Sequence, residues 1–323
     1  MILRGVAALL IGVATLAGGV GAGAGQDAAA RKPAGLSADA AMAALGRRLF
    51  YDGDLSIDGS MACSTCHGQR HGFAEGNRSH PGVTDEPGRR NVQGLANVGR
   101  RRSLTWGDAT IRTLEAQALV PLLGENPVEM AMKGQEAELA RRLSGNACYT
   151  RLFAVAFPET GGRIDLAGVT RALGAFQRGL VSDAAPADRF VRGDQGAISM
   201  EARAGAALFG QHCAACHAGP DYTDDHFHRI GAPDPRDRGL GDVTGRADDD
   251  GRFRTPSLRN VAVSAPYFHD GASATLGDAI RRHGMTFAAP EEATLVAWLA
   301  TMTDQAFITN PRFAYPDGPC EVG

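Results

Sequence analysis

Two five-residue stretches, Cys63-Ser-Thr-Cys66-His67 and Cys213-Ala-Ala-Cys216-His217, repeat one arrangement of two thiols and an imidazole. On a helical turn, residues three apart share a face, so both thiols can reach the vinyl groups of one porphyrin. The adjacent histidine then offers the iron its proximal nitrogen. This C-x-x-C-H run is the attachment signature of a c-type haem. A redox CxxC pair is a rival for either stretch. A zinc centre pooling four cysteines is another, and it leaves both trailing histidines unused. Two copies imply two covalently bound haems c, with Cys63, Cys66, Cys213 and Cys216 as attachment points and His67 and His217 on the irons.

Each motif needs an element to hold it. Ser37 can cap a helix with Ala41, Ala44, Leu45 and Leu49 on one face, leading into the first motif. Ser199 starts a second such helix, with Ala204, Leu208 and Phe209 inward, leading into the second motif. Helical periodicity also marks 113–123, 136–143, 165–181, 275–283 and 290–302. The stripe Leu166, Val169, Leu173, Phe176 and Leu180 is core, and so is Leu295, Trp298, Leu299 and Met302. Between them, 68–102 and 219–250 are long loops, and long ordered loops in compact domains are usually functional. No alternating strand pattern of useful length appears. The expected fold is mostly α with long loops: two tandem cytochrome c-like domains, each binding one covalent haem. The boundaries are 25–185 for the first and 186–323 for the second, with 182–196 as the hinge.

The chain has 323 residues, 44% apolar and 21% charged, with a net charge of −3. That is a soluble globular balance, and without a basic stretch carrying aromatic residues it argues against nucleic-acid binding. The densest basic run, Arg100-Arg101-Arg102, reads as a solvated loop. At the N-terminus, Arg4 precedes an apolar run over 6–20 and an Ala22-Gly23-Ala24 cleavage pattern, a signal peptide over 1–24. A retained membrane anchor is the rival, but the run is short and rich in Gly and Ala. Export to the periplasm fits c-type attachment and leaves no membrane span after cleavage. Cys148 and Cys320 remain outside the motifs; an oxidising compartment lets them pair, and sequence leaves open whether they meet.

Longer strings around these features resemble the bacterial di-haem cytochrome c peroxidase and MauG family, over nearly all of the chain after the signal. In the first half the match is Leu49-Phe50-Tyr51-Asp52, the haem motif, Gly72-Phe73-Ala74-Glu75-Gly76, Arg90-Asn91, Trp106, Gln117-Ala118 and Asn126-Pro127-Val128-Glu129-Met130. In the second half it is the haem motif, 253–261, Ala265-Pro266-Tyr267-Phe268-His269-Asp270-Gly271 and Thr275-Leu276. The resemblance implies that peroxide reacts at the N-terminal haem and that the C-terminal haem relays electrons. It places Trp106 between the haems and Glu129 as the acid on the open face, with Gln117 nearby. Asn91 and the carbonyls of Ser264 and Pro266 match a calcium site. A carboxylic acid suits the proton movement that O–O cleavage needs. Without the motif, Glu129 reads as a surface acid, Trp106 as core and Asn91 as weak support for a cation.

Two positions depart from the peroxidase pattern. The loop histidine that caps the resting N-terminal haem in the peroxidases falls here at Val83-Thr84, which cannot ligate iron. MauG-like members lack it too; His80 is a substitute in the same loop, and His71 a poorer one. The distal ligand of the C-terminal haem, methionine in the peroxidases and tyrosine in MauG, falls at His283. Thr275-x-x-Asp278 is a capping box, and Leu276, Ala279, Ile280 and His283 share one face of the helix it opens. Met285, past Gly284, is the alternative ligand. The implied activity is reduction of hydrogen peroxide to water with electrons from a small periplasmic cytochrome c or copper protein. The rivals are MauG-like oxidation of side chains on a partner protein and a di-haem electron carrier without a substrate site. A homodimer is compatible with the resemblance.

Overall fold

A computed structural model of the chain describes residues 36–318 and 320. The expected signal peptide over 1–24 and most of the linker after it lie outside the described residues. The first hydrophobic core is built by α1 (Ala38–Phe50), α2 (Cys63–Cys66), α3 (Leu114–Leu123), α4 (Glu136–Ser144), α5 (Ala147–Ala156) and α6 (Leu166–Arg178). The second uses α7 (Pro186–Val191), α8 (Met200–His212), α10 (Leu276–Arg282) and α11 (Ala289–Ala300), while the short α9 (Gly241–Thr244) falls between α8 and α10 in the chain. The last, α12 (Gln305–Ile308), returns to the first core through Phe307 and Ile308. The chain is mostly α, as expected. A short antiparallel pair, β1 (Phe227–Arg229) with β2 (Arg252–Arg254), interrupts the second half.

Local chemistry explains the helix starts. Ser37, Thr113, Asp165, Ser199 and Thr275 each accept a hydrogen bond from a first-turn backbone N–H. In α1, Ala41, Leu45 and Leu49 are fully buried, and Ala44 is half-buried. Complete burial of each leucine contributes roughly 1.5–3 kcal/mol. The expected face of α8 needs correction. Ala204 is exposed, and the buried positions are Ala202, Gly205 and Phe209. The cause is a close crossing: a Cβ on Gly205 would lie 1.9 Å from the Thr294 carbonyl oxygen of α11, so Gly205 rather than Ala204 must face inward.

The 182–196 stretch is not a bare hinge. It holds α7, whose Asp188 accepts from Arg259 at 2.9 and 2.8 Å, a pair buried on both sides. Ser182 N donates to Asn97 Oδ1 at 2.8 Å, and Ala184 N to Asp304 at 3.0 Å. Beyond α12 the tail lies on the first core: Arg47 Nε donates to Ala314 O at 2.7 Å and Tyr51 Oη to Phe313 O at 2.7 Å. Cys148 and Cys320 form a disulfide that closes this tail onto α5.

Candidate active site

The second motif follows α8 directly. Its peptide turns through Cys216 N to Cys213 O (3.2 Å) and His217 N to Cys213 O (2.9 Å), which sets the two thiols and the imidazole around one wall. His217 Nδ1 donates to Tyr222 O at 3.1 Å, leaving Nε2 as the free nitrogen. Burial pulls this imidazole down to about 4, against the Tyr222 carbonyl, so it is neutral at physiological pH and able to serve as a ligand. A cavity of about 440 Å³ opens in front of it, within the roughly 300–1,000 Å³ usual for cofactor pockets. Cys213, Cys216, His217, His283, Met285 and Trp106 all line it.

His283 caps the C-terminal end of α10, just before Gly284, whose φ of 77° ends the helix. The capping box is present, with Asp278 N donating to Thr275 Oγ1 at 3.1 Å. His283 Nδ1 donates to Ala279 O at 2.8 Å, so here too Nε2 is free. The rings of His217 and His283 stand 6.4 Å apart, 70° between planes. Two imidazoles on opposite sides of one metal ion, each nitrogen about 2 Å from it, hold their centres roughly 6 Å apart. Met285 lines the same cavity. The donor set therefore fits an iron porphyrin held by a second imidazole.

The first motif is a helical turn, α2, followed by His67. Thr65 Oγ1 accepts from Ala62 N at 3.0 Å and fixes its start. His67 Nδ1 donates to Phe73 O at 2.7 Å, and burial lowers its basicity. Cys63 and Cys66 are outside any disulfide, and burial pushes both thiols up to about 12, so they sit neutral, ready for thioether attachment. No imidazole faces His67 as His283 faces His217 among the described ring contacts. Carboxyls gather there instead. Glu129 is half-buried, its carboxyl raised by burial against the opposing charge of His80. The charge of Glu129 acts on both Cys63 and Cys66, and that of Glu75 on Cys66. Gln117 is half-buried on α3. Val83 N donates to Glu129 O at 2.8 Å, so the loop carrying Val83-Thr84 lies on the Glu129 segment.

Trp106 is buried in the wall of the second cavity, its Nε1 donating to Asn91 O at 2.8 Å. Asn91, Ser264 and Pro266 line that same cavity. Asn91 Nδ2 donates to Asn77 O at 3.0 Å, which turns Oδ1 away from that carbonyl. His71 is turned elsewhere, with Nδ1 on Val263 O at 3.0 Å. Glu75 is a buried residue that sequence reasoning leaves without a role, although it stands inside a quoted motif. The one group of three metal-ligating side chains among the described residues, Cys216, Asp224 and His228, includes a haem-attachment thiol.

These features agree with known proteins. The family model for di-haem cytochrome c peroxidase matches residues 40–196. A methylamine utilization protein MauG from Methylorubrum extorquens is 35% identical over 289 residues, covering 83% of this chain and 80% of that protein. A cytochrome c551 peroxidase from Nitrosomonas europaea is 31% identical over 289 residues, covering 86% and 83%. The solved structure of a MauG-like protein associated with microbial copper homeostasis superposes with a TM-score of 0.81 at 34% identity, covering 85% and 93%. No helix among the described residues is long and apolar enough to cross a membrane. With two haem-attachment motifs, their imidazoles poised through Nδ1, and relatives of both branches aligned over most of their length, the chain belongs to the di-haem cytochrome c peroxidase/MauG family.

Proposed function

We propose that the chain is a periplasmic di-haem peroxidase that reduces hydrogen peroxide to two waters with electrons from a small cytochrome c or copper protein. The observation that carries this is the unequal surroundings of the two motifs: carboxyls at the first, a second imidazole at the other. In each of two tandem cytochrome c-like lobes, haem c held by Cys63, Cys66 and His67, or by Cys213, Cys216 and His217, supplies an iron for peroxide cleavage or electron relay. Glu129 in its ionised form accepts a proton from the near peroxide oxygen and passes it to the far one, and burial raises its carboxyl so that it is a stronger base than an exposed carboxylate. Gln117 orients the substrate through its amide. His283, facing His217, would be the second imidazole to hold the C-terminal haem, and Trp106, buried in the same cavity, would assist electron transfer between the two haems. Asn91 Oδ1 with the Ser264 and Pro266 carbonyls forms a set of hard oxygens suited to Ca²⁺. The disulfide between Cys148 and Cys320 supports an oxidising compartment.

The test is an absorption spectrum of the oxidised holoprotein followed by peroxide turnover with a reduced cytochrome. One high-spin and one low-spin haem with rapid donor oxidation is the expected result. Two low-spin haems without turnover would make the protein an electron carrier. The facing of His217 and His283 favours one second reading. An additional imidazole stabilises Fe(III), lowers the drive for electron uptake from a high-potential donor and suits MauG-like oxidation of side chains on a partner protein.

A further inference from the structure

Glu75 has no part in the reaction above, yet its position is unusual for a carboxylate. Its side chain is 7% exposed. Oε1 accepts from Asn77 Nδ2 at 2.8 Å, while Oε2 is buried with no hydrogen-bond partner. A buried acceptor left without a donor is costly, so this carboxylate gains from a cation near it, and the imidazole of His80 stands beside its other oxygen. His80 Nε2 lies 3.9 Å from Glu75 Oε1, and its Nδ1 donates to Pro81 O at 2.7 Å, so Nε2 is the nitrogen turned to the carboxylate. The same imidazole is 24% exposed and so also reaches solvent.

The loop that carries His80 is pressed onto the Glu129 segment. Gly88 N donates to His80 O at 3.0 Å and Val83 N to Glu129 O at 2.8 Å. Gly82 packs so closely that a Cβ there would lie 1.8 Å from the Val128 carbonyl oxygen. The charged groups that face His80 are thus Glu75 from its own loop and Glu129 from the segment beneath, with Glu86 at the edge accepting from Val128 N at 3.5 Å. Glu75 and Glu129 both act on Cys66, so the two carboxyls flank the first haem attachment with His80 beside them.

We propose that His80 is the proton shuttle of the peroxide site, passing protons from solvent to Glu129, and that Glu75 is the buried carboxylate that positions its imidazole. This rests on the proposed peroxide reduction. Turning H2O2 into two waters consumes two protons and two electrons; the donor protein supplies the electrons, and solvent must supply the protons. Moving a proton within the substrate returns Glu129 to its starting form and releases one water; the oxygen left behind takes up the two added protons, and Glu129, half-buried, can relay them only if solvent reloads it. His80 takes a proton at Nε2 at its exposed edge, gives it to a Glu129 carboxylate oxygen and returns to neutral. Glu75 holds the imidazolium between transfers.

The test reads proton transfer without turnover. Hydrogen cyanide must give up its proton to a nearby base as it binds ferric haem, so stopped-flow cyanide binding to the oxidised holoprotein reports the base. His80→Gln, which keeps hydrogen bonding but carries no proton, should slow cyanide binding by at least about tenfold with both haem spectra unchanged. Glu75→Gln should slow it less. His80→Ala should regain rate with added 2-methylimidazole, whose methyl group hinders iron binding. Wild-type rates in His80→Gln would overturn the shuttle. A resting low-spin first haem that turns high-spin in His80→Ala would also overturn it, making His80 an iron ligand. If the wild type neither binds cyanide nor turns over peroxide, the proposed function itself fails; if wild type does both and only the variants are unaffected, the shuttle alone fails.

Discussion

The two hydrophobic cores of this chain share one kind of helix crossing and differ in the charged and imidazole groups near each motif. In the first, α1 crosses α6 at Gly46, where a Cβ would lie 1.8 Å from the Ala172 carbonyl oxygen and 3.0 Å from Phe176 Cβ. In the second, α8 crosses α11 at Gly205, with the Thr294 oxygen at 1.9 Å and Trp298 Cβ at 2.9 Å. Each crossing thus meets a carbonyl and then the aromatic residue one turn later. Each helix leads to a C-x-x-C-H run whose histidine gives Nδ1–H to a carbonyl six or five residues on. Around the motifs the two differ: the charges of Glu75 and Glu129 act on Cys66 at the first, with His80 beside Glu75, and His283 faces His217 at the second. The shared half is what attachment demands. The divergent half is where the proposed function puts the difference between a site that reacts and one that relays electrons.

The strongest way to break this comparison is to remove one attachment. Cys63→Ser with Cys66→Ser should yield holoprotein with one covalent haem, and Cys213→Ser with Cys216→Ser the other, counted by mass and by haem absorbance. Two haems retained in either double variant would end the two-lobe scheme. Next comes the carboxyl. Glu129→Gln should cut peroxide turnover by roughly 10²- to 10⁴-fold with both spectra intact. The pH profile adds a sign. Burial raises this carboxyl, so a step that needs its ionised form should fail on the acid side at a higher pH than an ordinary carboxylate would cause. That acid limb should vanish in Glu129→Gln. An unchanged rate would remove Glu129 from the mechanism.

The second imidazole sharpens the contrast. A thioether favours Fe(II) and an imidazole Fe(III), so His283→Met should raise the potential of the C-terminal haem by on the order of 100 mV. The near-infrared band of sulfur-to-iron charge transfer should appear with it. If the wild type already shows that band and Met285→Ala abolishes it, Met285 is the ligand and the facing of His217 and His283 means only packing.

How far the sequence reveals this depends on whether chemistry or packing fixes a residue. The haem motifs are legible because thioether attachment and iron ligation set residue type and spacing together. Helix starts at Ser37, Thr113, Asp165, Ser199 and Thr275 are legible because a cap is a local hydrogen bond. His283 is singled out by the family resemblance, which puts it at the distal-ligand position; the capping box at Thr275 and the helix it opens are local signals that agree with that register. Other features depend on distant partners. The burial of Gly205 rather than Ala204 is set by α11, almost ninety residues on. The pairing of Cys148 with Cys320 spans a separation of 172 residues. Three-residue strands such as β1 and β2 are too short for alternation to register. The helix α5 carried a readable signal, Asn146 as cap with Tyr149, Leu152, Phe153 and Ala156 on one face, that periodicity reading passed over. Glu75 could not be singled out, since its isolation comes from burial that sequence does not show.

The smallest expected effect tests the half that the lobes share. Alanine is normally favoured over glycine inside a helix by roughly 0.8–1 kcal/mol. At Gly46 and Gly205 the added methyl would meet a backbone oxygen, which cannot rotate aside as a side-chain tip can. Overpacking of this kind costs about 1–3 kcal/mol. Toward the upper end of that range, which a backbone oxygen 1.8 or 1.9 Å from the new methyl favours, it outweighs the helix preference, so Gly46→Ala and Gly205→Ala should each be destabilising by up to about 2 kcal/mol. Gly210 is the control: it lies on α8 with nothing within 4 Å of its Cβ position, so Gly210→Ala should be neutral or stabilising. Denaturant unfolding of the holoprotein, followed at the haem absorbance, measures all three. A stabilising Gly205→Ala would mean that α8 and α11 stand further apart than described, and the likeness between the two crossings would be lost.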